Sequence, residues 1–263
     1  MDLASIIGLF LALAGILVGN ALEGGKIAQI TQPTAALIVI GGTVGATMLQ
    51  FPLKTFIQAM KSFKSVFVTK PSRDAKIVDE IVGYAAIARR DGILALEPLA
   101  PKASDPFLVR ALMMAIDGAD STAIRDALEQ SISKEEEEGE DVAKFFETAG
   151  GYAPTIGIIG AVLGLIQVMS HLSEINKVGE GIATAFVATI YGVAFANVVC
   201  LPIGGKLKIR TRGEVALRVL MLEGALAIQQ GMNPKLVRER LSSFSHSETP
   251  KAGEGESQMK EAA

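Results

Sequence analysis

The sequence predicts an all-α membrane protein with four transmembrane helices in a two-plus-two arrangement and a helical cytosolic domain. Residues 3–22, 33–53, 149–170 and 181–205 run without one Asp, Glu, Lys, Arg or His. Each run has the roughly 20 residues that cross about 30 Å of hydrocarbon as a helix. Without water to bond open backbone there, helices fill such runs. Cations also segregate: Lys54, Lys61, Lys64 and Lys70 follow the second run, and Lys206, Lys208, Arg210, Arg212 and Arg218 follow the fourth. The two short connections hold only Lys26 and Lys177. By the positive-inside bias, the long insertion and both termini are cytosolic. No strand pattern of comparable strength occurs.

Residues 1–53 form the first hairpin, closed by the stretch from Glu23 to Pro33. The start has no basic leader segment, and the apolar run passes Ala12-Leu13-Ala14 to reach Leu22, so the first span is read as uncleaved. Residues 54–148 are the cytosolic domain. There Phe56, Met60, Phe63 and Phe67 repeat at helical spacing with lysines on other faces, giving a basic amphipathic helix at the membrane surface or an extension of the span. Helical rhythm continues through Ile77, Val78, Ile81, Val82, Ala85 and Ala88 to a stop at Gly92. Pro98 and Pro101 interrupt it. Asp105 caps and Pro106 opens a helix that reaches Gly118. Another starts near Ser121 and runs through the acidic stretch 135–141 into the third span. Residues 149–205 form the second hairpin, closed between His171 and Glu180. Residues 206–241 hold C-terminal helices, the last opened by Asn233-Pro234. Residues 242–263 are polar and aperiodic, a predicted disordered tail that contains His246.

The net charge of −3 and 49% apolar content narrow the chemistry. The chain has two histidines and one cysteine, far apart, which excludes a zinc site and a Cys-His nucleophile pair. Cys200, within the fourth span, has no partner for an intrachain disulfide. There is no Walker-type loop, no GxSxG elbow and no aromatic-basic surface for nucleic acid. The reading is therefore no enzyme, no cofactor, no metal and no nucleic acid, with the acidic run as a solvated face.

What remains lies in the spans. Small residues pair as Gly15 with Gly19, Gly41 with Gly45, Gly160 with Gly164 and Gly192 with Ala196. They either bring helix backbones together, within the chain or between copies, or reflect how common glycine is in membrane helices. In the third span Pro154 removes a backbone donor among Gly157, Gly160 and Gly164, so a carbonyl could face a cavity. Thr155, and Thr184, Thr189 and Tyr191 in the fourth span, place hydroxyls at depth, although a membrane threonine commonly bonds its own preceding turn. Pro202 ends the inner half of the fourth span. An ionisable group inside a membrane is the default mark of an ion path. None is present, so that charge comes from elsewhere. In the insertion, Arg89 and Arg90 precede Glu97. Arg90 and Glu97, two turns apart, share a face if Gly92 does not break the helix.

The two-plus-two layout, Arg89-Arg90 to Glu97, Tyr152-Ala153-Pro154 with Gly157 and Gly160, Thr189-Ile190-Tyr191-Gly192, and Pro202 together resemble the MotA/PomA family, the A subunit of the flagellar motor stator, over roughly residues 1 to 240. The resemblance implies a pentameric ring of A subunits around a dimer of single-span B subunits (MotB/PomB-like) in the bacterial inner membrane. It also implies that B carries the aspartate that binds the translocated ion, and that Arg89, Arg90 and Glu97 engage the rotor switch protein FliG. The ion pathway would be lined by Pro154, Thr155, Gly157, Gly160, Ala161, Ala188, Thr189 and Tyr191, with Pro154 and Pro202 as conformational elements. In the sodium-driven branch the resemblance implies threonines where this chain has Ala161 and Ala188. Alanine offers no oxygen to a hard cation, so the expected ion is a proton rather than sodium. Two rivals stand beside this reading: an ExbB/TolQ-like proton-driven energiser, and a small-solute transporter or channel scaffold.

Overall fold

The computed structural model describes residues 2–69 and 73–243, the side chains of 175–177 excepted. Lys70, the side chain of Lys177, His246 and the expected tail from residue 244 lie outside the described residues. Those described are helical and contain no strand. In chain order they form α1 (Leu3–Leu22), α2 (Ile27–Ile30), α3 (Pro33–Ala36), α4 (Gly42–Gln50), α5 (Leu53–Ser65), α6 (Asp74–Asp91), α7 (Pro106–Ile116), α8 (Ser121–Ser170), α9 (Ile175–Ala194), α10 (Leu201–Gln229) and α11 (Pro234–Ser242). Wide π turns, Leu37–Gly41 and Phe195–Cys200, join α3 to α4 and α9 to α10. Four stretches are long and apolar enough to cross a membrane: Leu3–Leu22, Ile27–Gln50, Ser121–Ser170 and Val178–Gln229.

Contacts divide the chain into two units. The first comprises residues 1–70 and 136–212 and holds the apolar spans. Within it α1 buries none of its residues. The second span does the opposite on one side: Ala35, Val39, Thr43 and Thr47 are fully buried. Their four-residue spacing puts them in one row along the helix, and Ala35 and Val39 pack with Val187, Ala188 and Tyr191. At the far end of α4, aromatic rings knit α5 to α8. Phe145 meets Phe51 and Phe56 edge-on at centroid separations of 5.6 and 5.8 Å, the arrangement the ring quadrupoles favour.

One ionic cluster ties three segments of this unit together. Asp2 caps α1 by accepting from Ser5 N and pairs with Lys206 and Arg210. Arg210 also donates to the carbonyls of Ser65, Val66 and Val68 at and just past the end of α5, the first of which also accepts from Val68 N. The Lys206 ammonium beside Asp2 holds its carboxyl below the usual carboxylate range.

The second unit comprises residues 71–135 and 213–263. Its core joins Ile77 and Ile81 of α6, Leu108 and Leu112 of α7, Ile124 and Leu128 of α8, Leu222 and Leu226 of α10, and Leu241 of α11. The caps fall where residue type dictates: Asp105 accepts from Phe107 N at 2.9 Å, Asp120 from Thr122 N and Ala123 N, and Asn233 from Lys235 N. Glu223, almost fully buried, is held by Arg125 at 2.9 Å and Arg240 at 2.5 Å. A buried carboxylate needs such partners, since removing one leaves an uncompensated charge.

Two expectations change. Pro202 does not end its helix: α10 begins one residue earlier and continues to Gln229. A proline ring collides with the carbonyl four residues back in a regular helix, and the π turn immediately before it widens the backbone there. Gly92, with φ +86, does break α6, so Arg90 and Glu97 do not share one helical face. The short 3-10 turn Ile93–Leu96 stands between them.

Candidate functional site

The third and fourth spans touch along a ladder of small residues. On α8 these are Ala153, Gly157, Gly160 and Gly164, and on α9 Gly181, Ala185, Ala188 and Gly192. The spacing is four, three and four on both helices, which keeps each set on one stripe. A Cβ on Gly157 would lie 2.9 Å from the Ala188 carbonyl oxygen and 3.2 Å from Gly192 Cα, and one on Gly192 would lie 2.6 Å from the Ala153 carbonyl oxygen. A Cβ on Gly164 would meet Ala185 N at 2.9 Å, and one on Gly160 would meet the Ala188 methyl at 2.8 Å. Backbone therefore faces backbone at Gly157, Gly164 and Gly192, with the Ala188 methyl against Gly160 between them, the approach that only small residues permit between membrane helices. Glycine at 8, 15, 19, 41, 45 and 151 has open space instead.

This geometry sorts the candidate lining. Gly157, Gly160 and Ala188 are buried against the neighbouring span, so within the chain their part is to close the seam. Pro154 and Ala161 are half-buried at its border, and Thr155 is exposed beside the open Gly151. The helix runs through Pro154 unbroken, although Pro154 has no N–H to offer the Gly150 carbonyl. The Thr155 hydroxyl donates to Tyr152 O at 2.8 Å and the Thr189 hydroxyl to Ala185 O at 3.3 Å. Each bonds its own preceding turn and keeps an acceptor lone pair for another group. Tyr191 is engaged at longer range: its hydroxyl donates to Ile30 O at 2.6 Å and accepts from Gln32 N at 3.2 Å. It thereby fastens the fourth span to the start of the second.

Sequence reasoning missed the partners of Tyr191, about 160 positions away, and the Thr43 hydroxyl, fully buried in the second span without a partner among the described residues. It also missed Gly181 and Ala185, whose spacing from Ala188 and Gly192 is a signal readable in advance. Charge within the spans is absent, as their sequence dictates.

The second cluster lies in the second unit. Arg89 and Arg90 end α6 exposed, and Glu97 follows the 3-10 turn, also exposed. Arg90 makes a two-pronged pair with Asp91, its Nε and terminal nitrogen lying 2.8 to 3.1 Å from the carboxylate oxygens. That guanidinium holds the Asp91 carboxyl below the usual carboxylate range. Among the described residues Arg89 and Glu97 make no ion pair, and Leu94 stands exposed between them.

A helical protein with four stretches able to cross a membrane, a charge-free, tightly seamed hairpin in one unit and an exposed charged cluster in the other has the layout of an ion-channel subunit that works with other chains. Residues 6–90 match the motility protein A N-terminal family, and residues 100–219 match the MotA/TolQ/ExbB proton channel family. Motility protein A of Bacillus subtilis is 36% identical over 92% of this chain and 90% of its own length. That of Helicobacter pylori (strain 26695) is 34% identical over 97% of this chain and 100% of its own. The solved structure of C. jejuni MotAB superposes with a TM-score of 0.89 at 32% identity, covering 95% of this chain and 98% of that one. The chain belongs to the motility protein A family and is an ion-conducting stator subunit of the bacterial flagellar motor.

Proposed function

We propose that this subunit conducts protons in partnership with a second, single-span subunit that supplies the ion-binding aspartate, and that copies of it ring a dimer of that partner as a pentamer in the bacterial inner membrane. The observation that carries the reading is the absence of any Asp, Glu, Lys, Arg or His from four spans of a channel subunit. A channel of this kind needs a titratable group at depth, and a partner chain is its source. Likeness to MotAB complexes supports the same partner.

The carboxylate meets the exposed border of the seam, at Thr155 and Pro154, with Thr189 next to it. A carboxylate moved into this apolar wall has its charged form disfavoured, so its pKa rises towards neutrality and it takes up a proton. Protonated and ionised forms then fit differently against each copy of the wall, which drives stepwise rotation of the ring. Sodium is the less suited ion, because a hard cation requires several oxygens. Ala188 offers none, and its methyl fills the gap left by Gly160. The insertion and both termini are cytosolic, which brings Arg89, Arg90 and Glu97 to the rotor switch protein FliG. Exposed ion pairs are weak and screened by salt, a property suited to contacts that form and release on every step.

Motility complementation in sodium-free medium, with and without the single-span partner, tests this. Swimming should persist without sodium and require the partner. Swimming that stops on sodium removal while the proton gradient is intact would overturn the ion assignment.

A further inference from the structure

Between α4, α5, α8 and the π turn of the fourth span lies a cavity of about 240 Å³. Its wall includes Phe56, Met60 and Phe63 of α5, Phe145 and Phe146 of α8, and Cys200. It is larger than the ~150 Å³ apolar cavity that stays dry and takes up benzene. It is open on one side, since Met60 and Phe63 remain partly exposed. The residues that bound it sit where the spans give way to charged sequence: α4 ends at Gln50, and Lys206 follows Cys200 by six positions.

The same helix that supplies three wall residues carries the cations. Lys61 and Lys64 each follow a wall residue by one position, which places them about 100° around the helix from it. Both are exposed. Lys54 is engaged with Glu138 at 3.0 Å, whereas Lys61 and Lys64 make no ion pair among the described residues. An aromatic-walled apolar slot beside two exposed ammonium groups at a membrane boundary is complementary to one class of molecule, an acyl chain that ends in an anionic headgroup. We propose that the cavity binds one acyl chain of an anionic phospholipid whose phosphate rests on Lys61 and Lys64. The lipid would fill the space between α5 and the π turn Phe195–Cys200, coupling the α5 end of the unit to the fourth span. That the lipid comes from the cytosolic leaflet rests on the topology proposed above.

The chain has no tryptophan, so Met60→Trp gives it one in the wall, with Phe63→Trp as the alternative if the first variant does not fold, and the parent complex supplies the partner's background emission to be subtracted. The full chain with its partner is reconstituted in phosphatidylcholine vesicles containing a minor fraction of brominated phosphatidylglycerol or, separately, brominated phosphatidylcholine. Leu11→Trp on the exposed face of α1 reports the ordinary annular lipid. At position 60 the brominated anionic lipid should quench more strongly than the neutral one. The preference should be about fivefold in relative affinity per lysine, ~1 kcal/mol each, should vanish in Lys61→Gln/Lys64→Gln, and should be absent at Leu11→Trp. Equal quenching by both lipids at position 60 would overturn the proposal. Quenching by neither would also overturn it, and would mean that a protein surface, such as a second copy, closes the cavity. Both leaflets hold the same lipid, so a reversed topology cannot imitate failure.

Discussion

Moving one methyl group across the seam of the second hairpin isolates what holds it. In Gly160→Ala the new Cβ sits 2.8 Å from the Ala188 methyl, whereas ordinary contact begins near 3.4 Å, so the two spans must part by about 0.6 Å. The neighbouring rungs are backbone against backbone and cannot rotate aside. Overpacking of this kind costs about 1–3 kcal/mol. Ala188→Gly alone loses about 1 kcal/mol of helix propensity and some packing. Combining them exchanges the methyl between partners, leaves Ile38 at an ordinary 3.5 Å, and returns at position 160 the propensity lost at 188. The double variant should therefore lie within about 1 kcal/mol of the parent, a coupling of about 1–3 kcal/mol. An SDS-unfolding titration of the purified subunit measures all three variants. Gly205→Ala, with no atom within 4 Å of its new methyl, serves as the control. Additive effects, with coupling below about 0.5 kcal/mol, would refute the seam and return Gly160 and Ala188 to an open pathway.

Thr189→Val should impair ion flux while leaving assembly intact, because among the described residues the one side-chain bond lost is a 3.3 Å contact within its own helix; unchanged flux in vesicles would remove Thr189 from the route. Arg89→Glu with Arg90→Glu should abolish swimming without loss of stator assembly, both side chains being exposed, and a pull-down that fails to recover the complex would give them a structural role. The Asp2 cluster predicts a pH dependence. Its carboxyl is held low by Lys206, so its contribution is present above the unfolded value of about 3.9 and is lost as pH falls through the lower folded one. The difference in melting temperature between the parent and Asp2→Asn should hold from neutral pH to about 5 and close below about 4. A difference that instead grows on acidification contradicts the assignment.

The spans were legible because a run of uncharged residues long enough to cross a bilayer has few other folds available. The caps at Asp105-Pro106 and Asn233-Pro234 were legible too, since those side chains satisfy the first amides of their helices. The resemblance pointed to the correct family through a handful of residues, Pro154, Tyr191 and Arg90 among them. Three features were not legible. The π turn that carries the chain past Pro202 depends on how the fourth span packs. The bonds of Tyr191 to Ile30 and Gln32 join positions far apart in sequence. Whether the glycines of the third span line a path or pack against a helix was left open by the sequence, because a stripe of small residues reads the same either way; within the chain Gly157 and Gly160 pack against the fourth span.

In the proposed mechanism the charge that moves the ion belongs to another chain. Proton flux into vesicles holding a pH-sensitive dye, measured under an imposed potential, tests it directly with this subunit alone, with its single-span partner, and with a partner whose membrane aspartate is replaced by asparagine. Flux is expected only for the complex that carries the aspartate. Flux at the same rate through the subunit alone would contradict it.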